Sequence, residues 1–152
     1  MTGETASARP RCPLCQPRPD ESEQWIRVGT LSVATLYLDR NQTYRGHCQL
    51  VFDPRHAEGL ERLQPDEYTR LMADVAAAAR AISAACRPDL MNYASLGNVV
   101  PHVHWHIVPR YRTDPRWGAP IYTSDLTDMR QTRLAEAEYL RIVADIREHL
   151  DL

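Results

Sequence analysis

The chain has no apolar run long enough to cross a membrane and no phosphate-binding loop of the Gly-x-x-x-x-Gly-Lys-Ser/Thr kind. It also lacks an internal repeat and an interior linker that would separate two domains. These absences argue against a membrane span, against a kinase or GTPase, and against more than one domain in 152 residues. Net charge is nearly missing too. A formal −2 gives no global pull toward a nucleic-acid polymer. Residues 1–9 hold no apolar stretch of the secretory type, and the expectation is a cytoplasmic protein whose partners include neither membrane nor nucleic-acid polymer. Hydrophobic residues make up 43%, slightly below the usual globular range but enough for a real core at this length. Of only four cysteines, Cys48 and Cys86 show no pairing pattern and are expected as buried or reduced thiols.

What the chain does have is a concentration of imidazole. Three of its six histidines stand at alternate positions in Pro101-His102-Val103-His104-Trp105-His106-Ile107-Val108-Pro109. On a β-strand, side chains alternate between faces, so Val103, Trp105 and Ile107 point one way and the three imidazoles the other, roughly 6.5 Å apart. Near neutral pH imidazole serves as nucleophile, general acid, phosphate donor or metal ligand. Alternation by itself often marks a solvated face, yet three rings in register between prolines exceed what a neutral surface needs. A metal-binding strand is the stronger rival. The outer rings of a straight strand lie about 13 Å apart, whereas ligand nitrogens on one zinc lie only about 3 to 4 Å apart. All three rings therefore cannot share one ion, and at least one is free for other work.

The second feature is Cys12-Pro13-Leu14-Cys15, which reads as a redox pair or half of a zinc site. No thioredoxin-like βαβ pattern surrounds it. Pro10, Pro13, Pro17 and Pro19 crowd the segment, so a plain arm with reduced thiols is the remaining reading.

The remaining pattern is α+β. Residues 1–23 read as an amino-terminal arm carrying the Cys pair, and 24–152 as one domain. Strands are expected at 25–28, 31–38, 47–53, 90–95 and 102–108. Pro65-Asp66-Glu67 opens a helix whose inward stripe is Leu71, Val75, Ala78 and Ile82, and Arg87-Pro88-Asp89 stops it. A last helix, about 128–150, carries Leu134, Ile142, Val143, Ile146 and Leu150, with His149 as a dipole-favoured surface residue. Arg110, Arg112 and Arg116 are candidates to meet distal phosphates, and Trp117 or Tyr122 to stack on a second base. A solvated loop is the plainer reading of that segment.

The triad pattern resembles the signature of the histidine triad (HIT) superfamily of nucleotide hydrolases and transferases, of the bacterial HIT or diadenosine polyphosphate hydrolase type. The resemblance extends to Gly46-His47 and its strand ending in Pro54-Arg55-His56, to Leu36-Tyr37-Leu38-Asp39, and to Met91 through Asn98. It spans roughly residues 12–112 and implies a single-domain HIT-like fold, an antiparallel sheet of about five strands packed with two main helices.

The same resemblance implies roles. His104 would attack the α-phosphate and form a covalent nucleotidyl-histidine, dividing one hard displacement into two easier ones. His106 and His47 would approach that phosphate as donors, a need set by the dispersed charge of phosphoryl transition states. Asp39 and Asn92 would serve the ribose region, and Asn98, where many relatives carry Gln, a phosphate oxygen. Cys12, Cys15, His56 and His102 would hold a structural Zn2+ in a closed tetrahedron. Position 99 departs from the family pattern: relatives carry Ser or Thr there to assist the leaving group, and Val99 cannot. The expected activity is therefore hydrolysis of nucleotides with good leaving groups, dinucleoside polyphosphates such as diadenosine tetraphosphate, with adenosine the expected base. A nucleoside phosphoramidase and a nucleotide-binding zinc protein with little turnover are the alternatives. Relatives commonly form homodimers through the long helix and a strand, and the stripe of 71–82 would permit that contact or an intrachain one.

Overall fold

A computed structural model describes residues 12–114, 116–121 and 131–151. Residues 1–11, Tyr122 and the opening of the expected last helix at 128–130 lie outside the described residues. The period-2 segments form β1 (Trp25–Thr30), β2 (Ala34–Asp39), β3 (Cys48–Phe52), β4 (Leu90–Ala94) and β5 (His104–Arg110). All neighbours pair antiparallel in the order β1-β2-β3-β5-β4. Two helices, α1 (Pro65–Cys86) and α2 (Glu136–Glu148), complete the α+β fold. No described helix is long and apolar enough to cross a membrane.

Alternation divides the sheet into two faces. On one, Ile26, Leu36, Leu38, Leu50, Phe52 and Ile107 meet Leu71, Val75, Ala78 and Ile82 of α1 and Tyr139, Ile142 and Ile146 of α2. The α1 stripe is thus consumed within its own chain, which decides between the intrachain and interchain readings of its periodicity. Helix α1 starts where Pro65 occupies the first turn and the Glu67 carboxylate accepts the Gln64 backbone N–H at 2.8 Å. It ends at Arg87, whose backbone turns left-handed (φ 50°) ahead of Pro88.

Three elements start two or more residues later than expected. Strand β2 begins at Ala34 rather than 31. Residues 31–33 instead turn around the buried Asp74 carboxylate, which accepts the Ser32 N–H (3.2 Å), the Ser32 hydroxyl (2.8 Å) and the Val33 N–H (2.8 Å). Strand β5 begins at His104 rather than 102, because the His102 N–H turns back to the Val100 carbonyl at 2.8 Å. Helix α2 begins at Glu136, leaving Leu134 to pack on the core from an extended segment and Leu150 just past the helix end.

The second face carries less cover. At one end Cys12 and Leu14 lie buried against Tyr37 and Val51, so residues 12–15 of the arm pack on the sheet. At the other end Tyr44, Val108 and Ile121 form a small cluster. Between these two covers the polar residues of β2, β3 and β5 are gathered.

Candidate active site and metal centre

Strand register places the histidines before any chemistry is considered. In β3 and β5, Val51 pairs with His104, Gln49 with His106 and Cys48 with Ile107. Because paired residues share a face, Gln49, Val51, His104 and His106 all stand on the second face. His47 joins them just before β3. Its approach depends on Gly46, whose φ of +91° suits glycine, and a Cβ there would sit 2.6 Å from the Cys86 sulfur. The result is a bond between His47 Nε2 and His106 Nδ1 at 3.0 Å, with the His104 and His106 rings 5.4 Å apart in an edge-on arrangement.

His104 has its tautomer fixed by the backbone. Its Nδ1 lies 2.6 Å from the His102 carbonyl oxygen, and a carbonyl only accepts, so Nδ1 carries the proton. Nε2 is then left with its lone pair, the form a nucleophilic imidazole requires. Burial, reinforced by the neighbouring His47 and His104, drives the pKa of His106 down to about 3, and burial also lowers that of His47. The His47–His106 pair is therefore neutral at pH 7, one ring donating to the other.

The cleft beside His104 has a volume of about 400 Å³, and its lining includes Asp39, Gln49, Trp25 and Val99. Asp39 is oriented from both sides: Gln49 Nε2 donates to Oδ2 and the Asn41 backbone N–H to Oδ1, each at 2.7 Å. Gln49 and Trp25 were not singled out in the sequence; alternation with His47 along β3 was the signal for Gln49. From His104 the cleft crosses β3 and β2 to Trp25 on β1, three strand spacings or about 14 Å. Val99 borders it almost fully exposed, at 93%.

Other predicted residues lie apart. Asn92, on β4, accepts at Oδ1 from Arg110 Nη1 at 2.7 Å, and Asn98 lies exposed in the loop between β4 and β5. Arg110 is a correction to the idea that it meets distal phosphates. It is 2% exposed, and its guanidinium is held by Asp114 and by the carbonyls of Ala119 and Arg116, above the Tyr44 ring. Arg112 lies over Trp117 and faces Asp89.

Just before β5 a second cluster forms around His102. One donor atom from each of Cys12, Cys15, His56 and His102 lies within 4.8 Å of the others. His102 Nε2 donates to the Phe52 carbonyl at 2.7 Å, so its Nδ1 is bare; it faces Cys12 Sγ at 3.5 Å and Cys15 Sγ at 3.4 Å. His56 Nδ1 faces Cys15 Sγ at 3.3 Å while its Nε2 faces the Glu58 carboxylate at 3.4 Å. Tetrahedral Zn–N and Zn–S bonds of about 2.0 and 2.3 Å put N and S about 3.5 Å apart. The donor set thus fits a zinc ion, with each imidazole oriented through its other nitrogen. Without a cation, burial and the Cys12 thiol push Cys15 up to about 11; a bound cation reverses that balance and favours thiolates.

Comparison with known proteins agrees with this architecture. The HIT domain family matches residues 24–113, and the chain belongs to that family. Over 118 residues it is 28% identical to adenylylsulfatase HINT3 of Arabidopsis thaliana; the match covers 74% of this chain and only 56% of that protein, so the chain spans about half the length of this curated relative. A histidine triad protein of Bradyrhizobium japonicum shares the fold with a TM-score of 0.76 at 24% identity, covering 84% of this chain and 92% of that one. A zinc-bound histidine triad family protein of Mycobacterium smegmatis superposes with a TM-score of 0.59 at 21% identity, over 80% of this chain and 84% of its own. Membership of this family supports a nucleotide hydrolase or transferase in general terms.

Proposed function

We propose that the protein transfers a nucleotidyl group to water through His104. The observation that carries this reading is the bond from His104 Nδ1 to the His102 carbonyl, which leaves Nε2 as a nucleophile beside a cleft of nucleotide size. Nε2 attacks the α-phosphorus, the P–O bond to the leaving group breaks, and a nucleotidyl-His104 phosphoramidate forms. Water then cleaves the P–N bond, returning His104 and releasing the nucleoside monophosphate. The two neutral rings spend one N–H in their mutual bond, so His47 Nε2 donates to His106 Nδ1 and His106 Nε2 donates to the phosphate oxygens, while Asp39, set by Gln49 and Asn41, accepts from the ribose hydroxyls. Asn92 and Asn98 complete the proposed nucleotide contacts at the ribose region and the phosphate.

Val99 bears on the leaving group. With no hydroxyl at that position, groups that depart without a proton are favoured, such as the polyphosphate of diadenosine tetraphosphate. Sulfate, which the Arabidopsis relative's name implies as its leaving group, belongs to the same chemical class. An amine departs poorly without a proton, which disfavours a phosphoramidase. The test is mass spectrometry of the protein mixed with diadenosine tetraphosphate. An adenylyl adduct is expected on wild type and absent from His104→Ala, whose turnover falls about 10³-fold or more. Hydrolysis surviving His104→Ala would overturn the mechanism.

Cys12, Cys15, His56 and His102 are proposed to hold zinc, and the zinc-bound Mycobacterium smegmatis relative supports that reading. The ion supplies no step of the reaction; it would tie the arm and the Pro54–His56 turn to the residue preceding the nucleophile strand. One zinc per chain is expected by elemental analysis of untagged protein. Chelation should lower Tm, and a zinc ratio near zero with unchanged Tm would sink the idea.

A further inference from the structure

Between Asp39 and His47 the chain turns through residues 40–46, and one polar side chain sits inside that turn. Gln42 is 3% exposed. Its Nε2 donates to the Asp39 carbonyl at 2.6 Å and to the His47 carbonyl at 3.2 Å, while its Oε1 accepts the Gly46 N–H at 2.7 Å. Both carboxamide N–H groups and the oxygen are thus engaged. The partners also fix which way the amide points, since the two carbonyls only accept and the backbone N–H only donates. Gln42 is itself anchored, because its backbone N–H donates to the Thr132 carbonyl at 2.8 Å, on the segment preceding α2.

These bonds do not bear equally on the two ends of the turn. Asp39 pairs with Trp25 in the β1–β2 ladder, and Gln49 and Asn41 set its carboxylate, so it keeps those holds without Gln42. His47 lies just before β3. Its N–H donates to the Tyr44 carbonyl and its carbonyl accepts the Asp39 N–H, each at 3.0 Å. Gly46 aims it from a left-handed φ of 91°, and the N–H of that glycine is the one Gln42 takes. The ring so placed ends 3.0 Å from His106 Nδ1.

We propose that Gln42 is a positioning residue for nucleotidyl transfer: by holding Gly46 and the His47 carbonyl it sets the His47 ring against His106, and thereby fixes which His106 nitrogen carries the proton offered to the phosphate. This rests on the reaction assigned above to His104 and His106. With His47 Nε2 donating to His106 Nδ1, the proton of a neutral His106 belongs on Nε2. Once His47 is displaced, that bond lengthens and His106 divides between two tautomers. The phosphate then meets an N–H in only part of the population, and a donor that is not held in place contributes less to the transition state.

The experiment compares wild type with Gln42→Met, which keeps the side-chain length and removes the bonds to Asp39, Gly46 and His47. Hydrolysis of diadenosine tetraphosphate gives kcat and KM. NMR of isotopically labelled imidazole nitrogens gives the tautomers, with the His106 signals identified by their loss from His106→Asn. Wild type is expected to show His106 as a single Nε2–H tautomer and the variant a mixture. In the variant kcat should fall about ten- to hundred-fold with KM close to wild type. A merely structural residue would lower Tm and leave the folded-state tautomer unchanged. A wild-type His106 spectrum in folded Gln42→Met would overturn the proposal, as would an unchanged kcat, a loss confined to KM, or a tautomer mixture already in wild type. If wild type does not cleave diadenosine tetraphosphate, the substrate reading fails, and the tautomer measurement by itself decides the role of Gln42. Should Gln42→Met not fold, Gln42→Asn keeps a carboxamide one methylene shorter and is judged by the same measurements. Loss of the fold in both would make Gln42 a structural brace only, which overturns the proposal.

Discussion

At the scale of single residues, the histidines are divided by what each second nitrogen meets. A backbone carbonyl fixes His104 and another fixes His102, while His47 and His106 bond to one another. The depressed pKa values of that pair have a consequence for stability. His106 falls from 6.5 to about 3 in the folded protein, so below pH 6.5 the unfolded chain binds more protons than the native one. The contribution is present in full above about 6.5 and is lost as pH falls toward 3. Tm should therefore drop between pH 7 and 5, and His106→Asn should flatten that slope; identical slopes in the two proteins would refute the assignment. The carbonyl partners of His102 and His104 were not legible in the sequence, because each depends on a chain turn that alternation does not encode.

Among elements, the strands and α1 were largely readable, since period 2 and period 3.6 are local properties of the chain. At the start of β2, tertiary bonds replaced a local preference. Asp74 is the clearest case: a carboxylate within the helix anchors the turn before β2 through three hydrogen bonds, which holds α1 against the sheet. Asp74→Ala should cost about 1–3 kcal/mol in urea unfolding, since it removes charge-assisted bonds and leaves the buried Val33 N–H without its acceptor. A loss below a few tenths would show that water replaces the carboxylate freely. Arg110 teaches the reverse lesson. Its place beside other arginines in a Pro-containing loop suggested phosphate contact, yet Asp114, four residues on, claims it.

For the whole molecule, the sheet ends at β4, and Leu90 and Tyr93 stand half exposed there. We propose that a homodimer, expected from the family resemblance, would draw on that edge together with the solvent-facing side of α1, since the stripe of 71–82 is already buried within the chain. Light scattering should return twice the 17.4 kDa chain mass, and Tyr93→Arg should shift it toward one chain. A single-chain mass for wild type at micromolar concentration would rule the homodimer out.

The sequence by itself determined the elements, the inward face of α1 and the triad's place on a strand, because side-chain direction follows from position along the chain. It also carried the family pattern. Only the tertiary structure decided how the array is divided. His102 meets cysteines 87 and 90 residues away, His106 meets a ring 59 residues away, and the Cys-Pro-Leu-Cys turn reaches the cleft that His104 lines. Such juxtapositions arise when non-local strand pairs close and bury a common face. No local period records which distant residue will stand opposite.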